Sequence, residues 1–324
     1  MTVWILRRIF QAALVMLAMT VIVFIGVSVI GNPVDILISP DADQAERVRA
    51  IAALGLDKPL WQQYLHFLWG ALHGDLGRSF VYNEPALQLI GERMPATMEL
   101  AVTAVLMAVL LGIPMGLLAG LYPNSVFGRA AMAGSILGFS LPSFWVGLML
   151  IMVFAVQLGW LPSTGRGATV TVLGIPWSFL TRDGLAHMAM PAFNLALGNI
   201  ALVLRLTRSG VRENLPMDYV KFARAKGLSP LRVVFVHVLK NIMIPVVTVL
   251  GLQFGSTIAF AVVTESVFAW PGMGKLIIDS INVLDRPVIV AYLMMIVLMF
   301  VIINLVVDLL YTVLDPRVRL ESAE

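Results

Sequence analysis

The sequence predicts an all-α integral membrane protein with six transmembrane helices. Hydrophobic residues make up 59% of the 324 residues and charged residues 13%, proportions far from those of a soluble domain. A helix needs about 20 apolar residues to cross about 30 Å of hydrocarbon, and six nearly uncharged runs are long enough. These predicted spans are 9–30, 97–121, 131–158, 188–207, 245–268 and 288–313. Runs of this length, without a ten-residue alternation of polarity, favour helices over a membrane barrel.

Lysine and arginine in the short flanks of these spans predict the orientation of the chain. They cluster at four places, which are Arg7 with Arg8, Arg129, seven residues within 208–240, and Arg317 with Arg319. With six spans, all four clusters lie on one side, and the positive-inside rule makes that side cytoplasmic. Both termini are therefore expected in the cytoplasm, in a single domain over residues 1–324. Loop 31–96 is then extracytoplasmic and loop 208–244 cytoplasmic. The first loop carries five basic residues, but long loops respond weakly to the rule.

Loop 208–244 predicts two helices joined at a basic corner. The first lies around Pro216–Lys226, and Gly227 ends it because glycine readily takes the positive φ found after helix C-termini. Ser229 and Pro230 then supply an N-cap and a first-turn proline for the second helix. The apolar residues of that helix have the spacing of one buried face, and they are Leu231, Val234, Phe235, Val238 and Leu239. A loop that only sets topology is the alternative. A DNA-reading helix-turn-helix is excluded because the second helix lacks base-reading polar side chains.

Polar side chains inside the predicted spans are candidates for a solute pathway, because they are costly in hydrocarbon. The candidates for a pathway or gate are Glu265, Gln253, Asn199 and Asn304, and Asn194, Arg205 and Asp308 are of the same kind. For each residue taken alone, a hydrogen bond between helices is the favoured interpretation. Glu265 precedes a Trp-Pro-Gly turn at 270–272, so it could instead belong to an extracytoplasmic gate.

The run from Tyr219 to Pro245 resembles the "EAA" cytoplasmic loop of permease subunits in bacterial ATP-binding-cassette importers, specifically the dipeptide and oligopeptide permease family. The resemblance extends over nearly the whole chain, because six further segments match the family in the same order: Leu6–Arg8, Leu54–Pro59, Gly74–Ser79, Leu141–Trp145, Thr264–Gly274 and Leu314–Arg319. One departure from the general importer pattern is Lys221-Phe222-Ala223 in place of Glu-Ala-Ala. This departure looks like the peptide family's own variant.

The resemblance implies a type I importer-like bundle in the bacterial inner membrane. It implies that the corner docks on an ATPase through Ala223, Arg224, Ala225, Lys226, Gly227, Leu228, Ser229 and Pro230. The implied partners are a second permease subunit, one or two cytoplasmic ATPases and an extracytoplasmic solute-binding protein. The implied substrates are di- or oligopeptides, with nickel chelates, glutathione or another small solute as alternatives.

Several functions are excluded or disfavoured by what the sequence lacks. The run Gly272–Lys275 has neither the spacing nor the Ser or Thr of a phosphate-binding loop, so ATP and Mg²⁺ are expected only on the partner ATPases. The chain has no cysteine, and its four histidines form no His-Glu-x-x-His motif, so neither a metal site nor an enzyme is expected. A net charge of +3 is explained by the cytoplasmic loops without nucleic acid. A stand-alone secondary transporter is the alternative class, but we find no convincing internal repeat of the kind that such transporters carry.

Overall fold

The computed structural model describes residues 2–29, 43–53 and 57–314. Within these residues the regular structure is helical except for one two-stranded antiparallel hairpin and an isolated bridge between Arg78 and Pro85. The chain divides into two units, which are described separately. Unit 1 comprises 1–96 and 271–302, and unit 2 comprises 97–270 and 303–324. The predicted family segments at 54–56 and 315–319, and loop residues 31–42, lie outside the described residues.

The elements follow one another as eleven helices and two strands in the described part of the chain. They are α1 (Thr2–Val29), α2 (Gln44–Ala53), α3 (Leu60–Leu72), α4 (Ala86–Leu121), α5 (Val126–Ser140), α6 (Ser143–Gln157), β1 (Val170–Val172), β2 (Ile175–Trp177), α7 (Arg182–Asn214), α8 (Asp218–Ala225), α9 (Pro230–Val267), α10 (Met273–Asn282) and α11 (Arg286–Leu314). Helices α4, α6 and α9 contain π-helical stretches at Ala108–Gly112, Ile151–Gln157 and Val233–Val238.

Four of these helices are long and apolar enough to cross a membrane, namely α4, α7, α9 and α11 over Arg286–Val307. Helices α5 and α6 are bent by 108° relative to each other. If they form one broken span, they provide a fifth membrane crossing. The sequence predicts one uninterrupted helix at 131–158, and the structure interrupts it at Leu141 and Pro142. Proline lacks a backbone N–H and disfavours the α conformation in the residue before it, which accounts for the break. Helix α1 contains a shorter apolar run, Phe10–Gly26.

The second helix of the predicted loop is continuous with the fifth predicted span. The sequence analysis separates the loop from the span at Pro245, but α9 runs through Pro245 without interruption from Pro230 to Val267. A helix of 38 residues is about 57 Å long. The chain therefore has one continuous helix that extends from the corner through the membrane-length segment.

The predicted buried face at the start of α9 is wrong for two of its five residues. Leu231 and Phe235 are 72% and 56% exposed, whereas Val238 is buried and Val234 and Leu239 pack against the same apolar cluster. Val233, which the prediction omits, is buried as well. The cause is the π-helical stretch at Val233–Val238, in which hydrogen bonds join residues five apart rather than four. Val233 and Val238 therefore share a face that α-helical spacing would not give them.

Close helix packing in unit 2 depends on three glycines of α4 spaced four residues apart. Gly112, Gly116 and Gly120 face α7, and a Cβ added at Gly116 would lie 2.6 Å from Thr207 Cβ. Small residues at this spacing let two membrane helices approach closely. Helix α7 also packs against α5, α6 and α9, so it forms the centre of unit 2.

Unit 1 holds a buried carboxylate between α10 and α11. Asp285 is fully buried and accepts hydrogen bonds from the Ser79 hydroxyl and from Phe80 N, the latter at 3.1 Å. These bonds fix the loop before α4 against the start of α11. In the same unit, the Thr20 hydroxyl of α1 lies 2.9 Å from the Tyr64 hydroxyl of α3.

Candidate functional site

The corner between α8 and α9 has the backbone geometry that the sequence predicts. Gly227 has a φ of +75°, the left-handed region that glycine adopts without steric cost. Its N–H donates to Arg224 O at 2.9 Å, and Leu228 N donates to Ala223 O at 3.3 Å. These two bonds satisfy carbonyl groups at the end of α8 and turn the chain sharply. Pro230 then begins α9, with Ser229 at the N-cap position.

The corner has a buried side and an exposed side. Val220 and Ala223 of α8 belong to the same hydrophobic cluster as Val233 and Val238 of α9, so the two helices are fixed to each other. Of the predicted docking residues, Ala223 is buried and Leu228 is half-buried. The exposed ones are Arg224, Ala225, Lys226, Gly227, Ser229 and Pro230. The six exposed residues therefore lie above a packed apolar base, to which Ala223 belongs.

The charged groups of the corner make only weak local interactions. Lys221 pairs with Asp218 at 2.9 Å, but both side chains are exposed, and such pairs contribute about 0–1 kcal/mol. Lys226 Nζ lies 4.6 Å from the ring centroid of Phe222, which adds a cation–π contact of similar size at an exposed site. The basic groups thus stay accessible to a partner of opposite charge.

A buried polar network lies at the other end of α7, and the sequence analysis did not find it. The Glu99 carboxylate of α4 accepts hydrogen bonds from Arg166 Nη2 at 2.8 Å, from Ser178 N at 2.6 Å and from Phe179 N at 2.9 Å. Its side chain is 1% exposed. The one available signal was an acidic residue inside the predicted span 97–121.

Arg166 connects this carboxylate to the surrounding loops. It donates to Pro176 O at 2.7 Å and to the Ser178 hydroxyl at 2.9 Å, and its guanidinium lies 5.8 Å from a ring centroid of Trp270. Gly165 N also donates to Phe268 O at 2.8 Å. The loop before β1, the β1–β2 hairpin and the end of α9 are therefore bonded into one assembly within unit 2.

The four predicted pathway residues do not come together in one site. Glu265 is fully buried and accepts from the Thr97 hydroxyl at 2.6 Å, which joins α9 to α4. Asn199 donates to the Thr257 hydroxyl at 2.9 Å, which joins α7 to α9. Gln253 is half-buried and Asn304 is exposed. Gln253 and Glu265 are twelve residues apart in α9, about 18 Å along the axis, so they cannot contact one solute group together.

Comparison with known families places these features in context. Residues 112–320 match the model of the binding-protein-dependent transport system inner membrane component. Residues 1–101 match the N-terminal model of the same membrane component. Together the two models account for almost the whole chain, including the corner.

Curated relatives extend over the same length. The chain is 40% identical to the dipeptide transport system permease protein DppB of Escherichia coli (strain K12), over 98% of both chains. It is 41% identical to the di/tripeptide transport system permease protein DppB of Pseudomonas aeruginosa, over 89% of this chain and 90% of the relative. It is 37% identical to the glutathione transport system permease protein GsiC of E. coli O6:H1, over 98% of both chains.

A solved structure shares the fold. The MetNI methionine ABC transporter, in an inward-facing conformation, contains a chain that matches 70% of this protein with a TM-score of 0.52 and 15% sequence identity. The match covers 97% of that chain. At this identity, the likeness shows the fold alone.

The two family models and the three relatives all describe membrane components of transport systems. In this family the permease subunit does not hydrolyse ATP, which is the task of separate ATPase subunits. The chain belongs to the family of binding-protein-dependent transport system inner membrane components, as a DppB-like permease subunit of a bacterial ATP-binding-cassette importer in the inner membrane.

Proposed function

We propose that this chain moves short peptides across the inner membrane as one of two permease subunits in an importer. The second permease is a different, related chain, and one or two kinds of ATPase bind from the cytoplasm. A solute-binding protein delivers the peptide from the outer side. In this arrangement the chain crosses the membrane six times, with both termini in the cytoplasm, and α5 with α6 and the α1 region provide the two crossings beyond α4, α7, α9 and α11.

The proposed coupling element is the corner Ala223–Pro230. Its exposed basic surface would dock in a groove of an ATPase, where Arg224 and Lys226 donate charge-assisted hydrogen bonds and Gly227 allows close backbone approach. The observation that carries the proposal is the continuity of α9 from Pro230 to Val267. Because the corner is packed on the first turns of that helix, a displacement of the corner moves the membrane-length segment as a rigid body.

The proposed substrate class follows from the relatives. Two of them are named for dipeptides or tripeptides, and a third for glutathione, which is itself a tripeptide. Short peptides are therefore the substrate class that the names of all three relatives share. Nickel chelates and other small solutes, which the sequence leaves open, have no such support among these relatives. We propose that ATP and Mg²⁺ bind only the partner ATPases and that this chain holds no cofactor.

A matched pair of glycine variants tests the coupling. Gly227 and Gly174 both have positive φ, +75° and +79°, and a Cβ at either would meet no atom within 4 Å. Gly227→Glu and Gly174→Glu therefore bear the same backbone strain, but Gly174 lies in the β1–β2 turn at the opposite end of α7. Each variant is affinity-purified in mild detergent from its native membrane, the co-purified chains are identified by mass spectrometry, and the complex is reconstituted into liposomes.

We expect the wild type and Gly174→Glu to retain a related permease and at least one ATPase. With the solute-binding protein supplied outside the liposomes, both should take up radiolabelled dialanine only with ATP. Gly227→Glu should lose the ATPase and the uptake while its thermal unfolding midpoint matches that of Gly174→Glu. Recovery of the wild-type chain alone, with uptake driven by an ion gradient without ATP, would instead identify a secondary transporter. If both variants retain the ATPase equally, the corner is not part of the interface with the ATPase.

A further inference from the structure

Helix α3 exposes a row of large apolar side chains. Four of them have the spacing of a single helix face, and this apolar face of α3 consists of Trp61, Leu65, Trp69 and Leu72. Each of the four is between 53% and 74% exposed. No residue of α3 is buried, and none is charged. An exposed apolar patch of this kind marks a contact with another protein or with a membrane, so the face has a partner outside the described part of the chain.

A different face of α3 packs on α1. The ring of Phe24 lies 5.4 Å from the ring of Tyr64 and 5.9 Å from that of Phe67, measured between centroids. The Tyr64 hydroxyl also lies 2.9 Å from the Thr20 hydroxyl. By α-helical spacing, Tyr64 and Phe67 point about 125° away from the centre of the apolar face. Packing on α1 therefore leaves the apolar face open.

The contact with α1 sets the depth of α3 relative to the bilayer. Thr20 and Phe24 lie in the second half of the apolar run Phe10–Gly26. In the proposed topology the N-terminus is cytoplasmic, so that half of the run lies in the outer leaflet. Helix α3 has 13 residues and is about 20 Å long, too short to cross about 30 Å of hydrocarbon. A helix that is held at this level and cannot cross lies at the outer boundary of the hydrocarbon.

The side chains of α3 fit such a boundary. Tryptophan is enriched where a membrane meets water, and both tryptophans of α3 belong to its apolar face. The adjacent side of the helix carries His66 and, at its end, His73, and both are exposed. A helix that lies in the interface has this division, with apolar and aromatic residues towards the lipid and polar residues towards the water. Depth and composition therefore favour lipid as the partner of the apolar face.

We propose that α3 lies in the outer membrane interface, with its apolar face inserted into the lipid. This inference rests on the proposed function, because it uses the proposed crossing of the membrane by α1. Through its two faces, α3 joins the outer half of α1 to the membrane surface. The loop between α1 and α4 is thereby attached to the bilayer at a point between its two ends.

Spin labelling of single residues measures their depth, and this chain suits the method because it contains no cysteine. Leu65→Cys and Leu72→Cys carry the label on the apolar face. The matched control is His66→Cys, which is also exposed and lies about 100° around the helix axis from Leu65. Leu17→Cys, near the middle of the run Phe10–Gly26 and 52% exposed, reports whether α1 crosses. Because all four positions are exposed, the labels require no repacking of the chain.

Each variant is purified from its native membrane with its partner subunits, spin-labelled and reconstituted into phosphatidylcholine vesicles. The wild-type complex, labelled in the same way, gives the signal from cysteines of the partners. Oxygen concentrates in hydrocarbon and chromium oxalate stays in water, so the ratio of their collision rates with the label gives its depth. Neutral lipid is sufficient for this test because α3 has no charged residue that would require anionic headgroups.

We expect the labels at Leu65 and Leu72 to lie about 5–10 Å inside the boundary between headgroups and acyl chains. The label at His66 should be accessible to chromium oxalate. The label at Leu17 should lie about 15 Å deep, half of the hydrocarbon thickness.

Three other outcomes would overturn the inference. If the labels at Leu65 and Leu72 are as accessible to chromium oxalate as the label at His66, α3 lies in water. If they are accessible to neither reagent, a partner subunit covers the apolar face. In both cases a deep label at Leu17 leaves the proposed function intact. If instead the label at Leu17 is accessible to chromium oxalate, α1 does not cross the membrane, and the proposed topology fails together with the inference.

Discussion

The two ends of α7 differ in how their polar groups are satisfied. They are about 50 Å apart, since the helix has 33 residues and rises about 1.5 Å per residue. At the N-terminal end, Glu99, Arg166 and Ser178 are buried and hydrogen-bonded to each other. At the C-terminal end, the corner between α8 and α9 holds its charges on an exposed surface above a packed apolar base. The first end is completed within this chain, whereas the second leaves its charged and backbone groups accessible to another protein.

Removing the Glu99 carboxylate should have the largest effect on stability. In Glu99→Ala, the buried guanidinium of Arg166 and the N–H groups of Ser178 and Phe179 lose their acceptor. Breaking a buried ion pair in this way costs about 3–5 kcal/mol. The control is Glu213→Ala, at the opposite end of α7, where the carboxylate is exposed and accepts from the Ser209 hydroxyl at 2.8 Å. Its loss should cost less than about 0.5 kcal/mol.

Denaturation by dodecyl sulfate in mixed micelles measures both free energies. The double variant Glu99→Leu/Arg166→Met should lose clearly less free energy of unfolding than the two single variants lose in sum. Each single variant leaves one buried charge unpaired, whereas the double variant leaves none. Equal losses for Glu99→Ala and Glu213→Ala would contradict the distinction between the two ends.

Removing apolar packing beneath the corner should have the second largest effect on the free energy of unfolding. Val220 of α8 is fully buried in the cluster that contains Val233 and Val238, so Val220→Ala leaves a cavity and costs about 1–3 kcal/mol. Phe222→Ala, two residues away on the exposed side, removes only the cation–π contact with Lys226 and should lower the free energy of unfolding by about 0.5 kcal/mol. Hydrogen exchange should become faster in α8 of the valine variant. If both variants exchange at the wild-type rate, α8 is not held by this cluster.

Removing the N-cap hydroxyl of α7 should have a smaller effect on the free energy of unfolding. The Thr181 hydroxyl accepts from Gly184 N at 2.8 Å and donates to Ala168 O at 2.7 Å, so it fixes both the helix start and the loop before β1. Thr181→Ala should cost about 1 kcal/mol, as for other N-caps with a side-chain bond. Thr181→Ser keeps the hydroxyl and should recover most of that loss in the same denaturation assay. If Thr181→Ala has the wild-type free energy of unfolding, the cap does not stabilise the N-terminal end of α7.

The corner could be predicted from sequence because its determinants are local. Glycine at a helix end and proline in a first turn act within a few residues, so Gly227 and Pro230 were placed correctly without knowledge of the fold. Two residues of the predicted buried face of α9, Leu231 and Phe235, are exposed instead, because the π-helical stretch at Val233–Val238 changes the period and leaves no simple signal in residue spacing.

The buried network could not be predicted for a different reason. Glu99 and Arg166 are 67 residues apart in the sequence, and only the packing of unit 2 brings them together. The same holds for Asn194 and Thr264, which are 70 residues apart. Their significance depends on which atoms find partners, and residue types in a span do not reveal that. Such residues can be recognised in the sequence as polar groups in apolar runs, but their roles follow from the fold.

The smallest effect on stability is expected for Ser229→Ala, which compares the N-cap of α9 directly with that of α7. Ser229 occupies the N-cap position of α9, but its side chain makes no cap hydrogen bond, unlike that of Thr181. Ser229→Ala should therefore change the free energy of unfolding by less than about 0.5 kcal/mol, although an N-cap serine usually contributes about 1 kcal/mol. If the exposed hydroxyl bonds to an ATPase, the same variant should weaken ATPase binding about five-fold, the equivalent of one hydrogen bond of about 1 kcal/mol. Titration of the purified ATPase onto nanodisc-embedded permease measures that affinity, and Ser229→Thr, which keeps the hydroxyl, is the control. Lower stability with unchanged ATPase affinity would mean that Ser229 caps α9 like Thr181 caps α7, and that the two ends are more alike than the structure indicates.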